Sequence, residues 1–204
     1  KIIKSEIYYI IMGSVKYDSS KLSIYIYSKL FSETNLIFQS ENELDFIQKK
    51  IPKLNKFFVP FGVNHNFWTN DLSSNENKNN YILSIGNDLS RDHQSLIDCW
   101  KINYPELIII TSLKVKNDKP NVKILKGDWK TKIYSDYEIR EFYRNSLFVI
   151  VALKPNIDAS GQSVVLQAMS CAKPVILTKT IGFWDKNHFI ENQNIIFVKE
   201  NNHN

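Results

Sequence analysis

The chain has 204 residues, 43% hydrophobic and 23% charged, a balance that supports a buried core, excludes wholesale disorder and leaves room for one large domain or one domain with part of a second. The net charge of +5 and pI near 9.0 favour anionic partners, but the lysines are spread along the chain without a run of about five or six basic residues, which speaks against nucleic acid. Apolar runs such as Leu147–Leu153 are far shorter than the roughly 20 residues of a membrane-spanning helix, no signal peptide opens the chain, and Cys99 and Cys171 read as unpaired core residues, so a reducing, cytoplasmic setting is expected.

In chain order, strands are predicted at Ile7–Met12, Leu36–Gln39, Lys56–Pro60, Tyr81–Ile85, Leu107–Thr111, Val122–Leu125, Leu147–Ala152, Pro174–Leu177 and Ile195–Val198. Their apolar residues are continuous and do not alternate, as in strands buried on both faces of a parallel sheet. Helical spacing falls between them at Ser20–Phe31, Glu41–Lys50, Gln94–Asn103, Asp136–Asn145 and Ser163–Ser170. Such alternation predicts an α/β fold with a doubly wound parallel, Rossmann-like sheet. The stretch TNDLSSNENKNN at 69–80 is rich in Asn and Ser and reads as a linker. The expected division is 1–68 as the last strands and helices of an amino-terminal domain with its hinge, and 81–204 as a ligand-binding domain. About three strands before the linker are too few for a complete Rossmann sheet, and about six after it are enough.

Three segments carry chemical signals. DASGQSVVLQAM, Asp158–Met169, follows a buried strand and opens a helix, so Ser160, Gly161, Gln162 and Ser163 stand where free backbone N–H groups and the positive dipole end converge. A phosphate is suited to that point, although Ser160 as a plain N-cap and Gly161 as a turn residue is the competing reading. Gln167 lies four residues beyond Ser163 on the same helix face and can reach a sugar hydroxyl. The second segment, YILSIGNDLSRD from Tyr81, ends a buried strand at Gly86, with Asn87, Asp88 and Arg91 just beyond. A guanidinium there can hold a diphosphate and stabilise charge on a leaving phosphate, which makes Arg91 the catalytic candidate; an ordinary ion pair with Asp88 or Asp92 is the alternative. In the third, KFFVPFGVNHNFW from Lys56, a strand runs into a turn and an aromatic pair. Asp128 and Trp129, after another strand end, are candidates for a base pocket, with Trp129 as a cover for the core as the alternative.

The four histidines have no metal-ligand spacing, and no metal is expected. GxSxG, P-loop and GxGxxG patterns are absent from the sequence. Together, FFVPFGVNHNFW, YILSIGNDLSRDHQSLIDCW and SGQSVVLQAMSCAKPVI resemble the hinge, the donor-domain opening and the "G...LEAMacGkPVI" segment of retaining glycosyltransferases of the GT-B fold, specifically family 4, over about Asn35–Val198.

That resemblance implies two Rossmann-like domains, the second holding a UDP- or GDP-sugar without other cofactor, and retaining transfer to a glycan or lipid-linked acceptor in polysaccharide biosynthesis. It places Gly86 and Arg91 near the diphosphate, Ser160–Ser163 on phosphate and Gln167 at the ribose. The sequence departs from the family at three points. Ala159 and Gln167 stand where two glutamates are usual, Asn87 replaces the arginine after the strand glycine, and most of the amino-terminal domain has no counterpart. With no initial Met, the chain reads as a fragment, or as a subunit completed by a partner chain that supplies the acceptor domain. Peripheral docking at the inner membrane face fits the basic charge. A non-catalytic interaction domain and a sugar-nucleotide epimerase are the competing readings.

Overall fold

The computed structural model describes residues 6–11, 19–70, 80–128, 131–185 and 187–199. The expected Trp129, and all of the 69–80 stretch except Thr69, Asn70 and Asn80, lie outside the described residues. The chain divides into two compact units: Lys1–Phe61 with Asn156–Ser160 and Ile181–His188, and Gly62–Pro155 with Gly161–Thr180 and Phe189–Asn204.

In the first unit, β1 (Tyr8–Ile11), β2 (Asn35–Phe38) and β3 (Asn55–Phe58) form a parallel sheet in that order. The connecting helices are α1 (Lys21–Leu30) and α2 (Glu41–Lys50), each started by a serine, Ser20 or Ser40, whose side chain accepts from the backbone N–H three residues on. In α2, Glu41 and Glu43 in the first turn and Lys49 and Lys50 in the last complement the helix dipole. Tyr27 of α1 and Ile47 of α2 pack with Ile11, Leu36 and Phe38 in one buried cluster. Residues of the opposite sheet face stay in solvent: Tyr8, Ile10 and Phe57 are 54%, 61% and 47% exposed. A parallel sheet is ordinarily covered on both faces. Asn42 Nδ2 donates to the carbonyls of Ile181 and Phe183 at 2.6 and 2.7 Å, tying that late segment to α2.

The second unit contains β4 (Tyr81–Ile85), α3 (His93–Cys99), β5 (Glu106–Thr111), β6 (Val122–Lys126), α4 (Asp136–Asn145), β7 (Ser146–Val151), α5 (Gln162–Ser170), β8 (Val175–Lys179) and β9 (Ile196–Lys199). Its six strands are all parallel, in the order β6-β5-β4-β7-β8-β9. All five residues of β4, apolar but for Ser84, are buried, as suits a central strand. The expected Rossmann-like α/β fold is therefore present. Strand order reverses between β4 and β7, and in such sheets the crevice outside the strands' carboxyl ends at this point is the ligand position.

Helices α3 and α5 show the instructive differences from the spacing-based expectation. α3 begins at His93 because Asp92 accepts from Ser95 N, and it ends at Cys99, not Asn103, because Trp100 turns to an extended conformation. The Trp100 indole is buried and donates to the Pro105 carbonyl at 3.1 Å. α5 is not capped by Ser160: Gly161 is the N-cap, at φ 87, without a side-chain cap bond. Among the described residues no helix is long and apolar enough to cross a membrane.

Candidate functional site

The loop after β4 is fastened from several sides. Gly86 has φ 151, and its carbonyl accepts from Thr111 Oγ1 at 2.7 Å and from His93 Nε2 at 3.0 Å. Since a carbonyl only accepts, His93 carries its proton on Nε2, leaving Nδ1 to face Ser84 Oγ at 3.4 Å. Burial, followed by the charge of Arg91, holds the His93 imidazole below its ordinary pKa, although the Gly86 bond acts the other way. Further along the loop, Lys154 N donates to Ser90 O and Asp92 N to Ala152 O, binding it to the segment beyond β7.

Arg91 is the centre of this arrangement. Only 5% of the residue is exposed, and Nε donates to Asp88 Oδ2 at 2.7 Å, while Ser90 Oγ donates to Asp88 Oδ1. A Cβ on Gly86 would lie 2.2 Å from Arg91 Nε, and one on Gly161 would lie 3.2 Å from Nη1 and 2.8 Å from Val151 Cγ1. The guanidinium thus occupies space that both glycines leave open, and φ 87 at Gly161 is itself a conformation that favours glycine. Among the described residues, Arg91 Nη1 is buried without a hydrogen-bond partner. A buried donor in that state is costly, which makes it a natural anchor for an anionic ligand.

A cavity of about 500 Å³ opens beside these residues. Gly86, Asn87, Asp88 and Arg91 form one side, and Ser163 and Gln167 in the first turns of α5 form another. Trp68, Asp136 and Tyr143, with the apolar Ile85, Ile139 and Val164, complete it. The fully buried Tyr143 donates to Gln167 Oε1 at 3.1 Å, which turns the amide so that Nε2 is the group left to donate. Burial also pushes the Tyr143 phenol well above its ordinary pKa, so it remains a donor. A second cavity, of about 610 Å³, shares Trp68 and Asp136 with the first and includes Phe67, Tyr134 and Tyr137.

The sequence candidates therefore fare unequally. Gly86, Asn87, Arg91, Ser163 and Gln167 come together around one cavity. The Asn87 side chain is already engaged: Nδ2 donates to Gly127 O at 2.8 Å, and Oδ1 accepts from Ser112 N at 2.6 Å and Thr111 Oγ1 at 3.2 Å. It clamps three strand ends together. Ser160, Gly161, Gln162 and Asp128 do not line the cavity; Gly161 acts through the room it leaves for Arg91, and Gln162 is buried. Ser160 belongs to the first unit, where its N–H donates to Asp158 O.

Sequence reasoning overlooked Trp68, Tyr143 and Asp136 as cavity residues. A signal for Asp136 was present in SDYE at Ser135–Glu138, a capping box that the structure forms in full. Crossover helices run antiparallel to the strands they join, so a first-turn residue of α4 must lie at the sheet's ligand-binding end. A larger cavity of about 770 Å³ runs along α4, from Tyr134 and Tyr137 to Tyr81 and Glu106, which begin β4 and β5. Its glutamates, Glu106, Glu138 and Glu141, stand beside Lys123 and Arg140, and it contains neither Arg91 nor a residue of α5. Among the described residues no group of three or more His, Cys, Asp or Glu side chains is placed to hold a metal ion.

No protein-family model and no curated protein matches this sequence. Solved structures do resemble the fold. The crystal structure of HepE from Anabaena with UDP and glucose aligns at TM-score 0.70 and 14% identity over 96% of this chain and 58% of that one. HepE with UDP-glucose and HepE with UDP align at TM-scores 0.69 and 0.65, each at 15% identity and with the same coverages. The chain spans less than two thirds of the length of these structures, and at such identities the likeness concerns the fold.

Proposed function

We propose that this chain is the donor-binding half of a glycosyltransferase that moves a sugar, with retention, from a nucleoside diphosphate sugar to a glycan or lipid-linked acceptor. The observation that carries the reading is the buried Arg91 guanidinium, its Nη1 unpartnered among the described residues, beside a cavity at the strand-order reversal. Support from outside the chain is the HepE fold, whose crystal structures hold UDP and UDP-glucose.

In this reading the donor diphosphate rests against Arg91 and the first amides of α5. As the bond from the anomeric carbon to the diphosphate breaks, negative charge grows on the leaving oxygen, and the fixed, buried Arg91 cation stabilises it without reorganising. Gln167 Nε2 donates to a ligand oxygen. Trp68 and the aromatic cavity next to it receive the base, with Asp128 and Trp129 as further candidates. The acceptor and the remaining catalytic groups come from polypeptide that completes the first unit. Its bare face at Tyr8, Ile10 and Phe57 accords with such a partner.

The test is thermal unfolding with UDP and GDP. A ligand at a hundredfold excess over its Kd stabilises by about 2.7 kcal/mol, so millimolar nucleotide should raise the Tm, and Arg91→Ala should abolish the rise. Absence of any shift in the wild-type protein favours the competing reading, a non-catalytic interaction domain, which the exposed sheet face and the Gln167 replacement would also suit.

A further inference from the structure

We infer that Asp136 is the specificity-determining residue for the ribose of the donor, a role that rests on the nucleotide reading above. A pentose hydroxyl both donates and accepts, but only an acceptor takes its proton, and a carboxylate does so most strongly. Most side-chain acceptors around the 500 Å³ cavity are already occupied. Asp88 takes hydrogen bonds from Arg91 Nε and Ser90 Oγ. The Asn87 carbonyl oxygen takes Ser112 N and Thr111 Oγ1, and Gln167 Oε1 takes Tyr143. What remains toward the ligand from Arg91 and Gln167 is donor chemistry, which suits phosphate, ether and hydroxyl oxygens but takes no proton from a hydroxyl. Ser163 offers a neutral hydroxyl from the first turn of α5, beside the proposed phosphate position. Asp136 is the cavity's one carboxylate that makes no hydrogen bond or ion pair among the described residues.

Its position selects which part of the ligand it meets. Asp136 is shared by the cavity that contains Arg91 and by the aromatic cavity of Phe67, Tyr134 and Tyr137. In a nucleoside diphosphate the ribose is the covalent link between the phosphate end and the flat base, whose face stacks on aromatic rings. A carboxylate standing between the two cavities therefore faces the pentose, where it can accept from the 2′-hydroxyl. Asp136 begins α4, and Ser135 and Glu138 hold that turn by the reciprocal capping bonds, so the carboxylate is presented from a rigid element. An aspartate in a first helical turn also stabilises the helix dipole, and the experiment must separate the two roles.

The decisive measurement is calorimetric titration of UDP and 2′-deoxy-UDP into the wild-type and Asp136→Ala proteins. The wild type should prefer UDP, because a hydroxyl bonded to a carboxylate is worth roughly tenfold to a hundredfold in affinity. Asp136→Ala should lower UDP affinity to about that of 2′-deoxy-UDP while leaving the deoxy ligand's affinity unchanged. That unchanged value also shows that the variant retains its cavity, since a purely structural defect would weaken both ligands alike. Equal discrimination by the wild type and the variant overturns the role of Asp136 and leaves the nucleotide reading standing. Failure of the wild type to bind either ligand overturns both.

Discussion

Exposure separates the two members of the central ion pair: the Arg91 side chain is 4% exposed and that of Asp88 43%. Removing the carboxylate would leave a buried guanidinium with Nε as well as Nη1 unpartnered, a larger penalty than an ordinary surface pair implies. Asp88→Ala is expected to lower the free energy of unfolding by about 2 kcal/mol in urea titrations; a change below about 0.5 kcal/mol would mean that water reaches the guanidinium. His93 adds a pH dependence whose sign follows from its lowered pKa. Between that lowered value and the unfolded value of 6.5, the unfolded chain binds more protons than the folded one, so stability rises with pH. The contribution is complete above about 6.5 and is lost as pH falls through the window below it. Melting temperatures measured from pH 7 to 5 should fall more steeply for the wild type than for His93→Gln, which has no imidazole to protonate. The two cysteines differ for a related reason. Cys171 is buried and its thiol is pushed up to about 11, whereas Cys99 is exposed, so alkylation of the native protein at pH 8 should label Cys99 and spare Cys171, as peptide mass mapping can show.

At the scale of elements, α4 depends on its first turn. Ser135 Oγ accepts from Glu138 N, and Glu138 Oε2 accepts from both Ser135 N and Ser135 Oγ, which also lowers the Glu138 pKa. Ser135→Ala should cost about 1 kcal/mol, or about 2–4 °C in Tm for a chain of this size. Because Asp136 leaves that same turn, nucleotide affinity should fall with it; a Tm loss without any affinity loss would separate the cap from the site. Much at this scale was legible in the sequence. Asp136–Asn145 and Glu41–Lys50 have serine caps and helical spacing, and the structure keeps their predicted limits. α3 and the start of α5 were not legible in the same way. Trp100 ends α3 by burying its ring against a loop carbonyl, and Gly161 caps α5 because a guanidinium from a distant strand end needs its space. Neither cause lies in the local sequence.

For the whole molecule, the two units contain separate buried clusters, one around Leu36, Phe38 and Ile47 and the other around Ile97, Leu107 and Ile109. The cavity is lined wholly from the second unit. UDP is therefore expected to slow amide hydrogen exchange in β4, α4 and α5 and to leave β2 and α2 unchanged; equal slowing in α2 would contradict the site's assignment to one unit. The sequence by itself determined the strand and helix alternation, the parallel character of the sheets and the two glycine-marked strand ends, because apolar runs and turn residues act over a few neighbouring positions. Tertiary structure alone decided that Gly86 and Gly161 flank one guanidinium, that Asn87 clamps strand ends, and that Tyr143 sets the Gln167 amide. Those outcomes depend on side chains tens of residues apart meeting where the strand order reverses, and a linear sequence does not record which of its hydrogen-bonding groups will already have partners there.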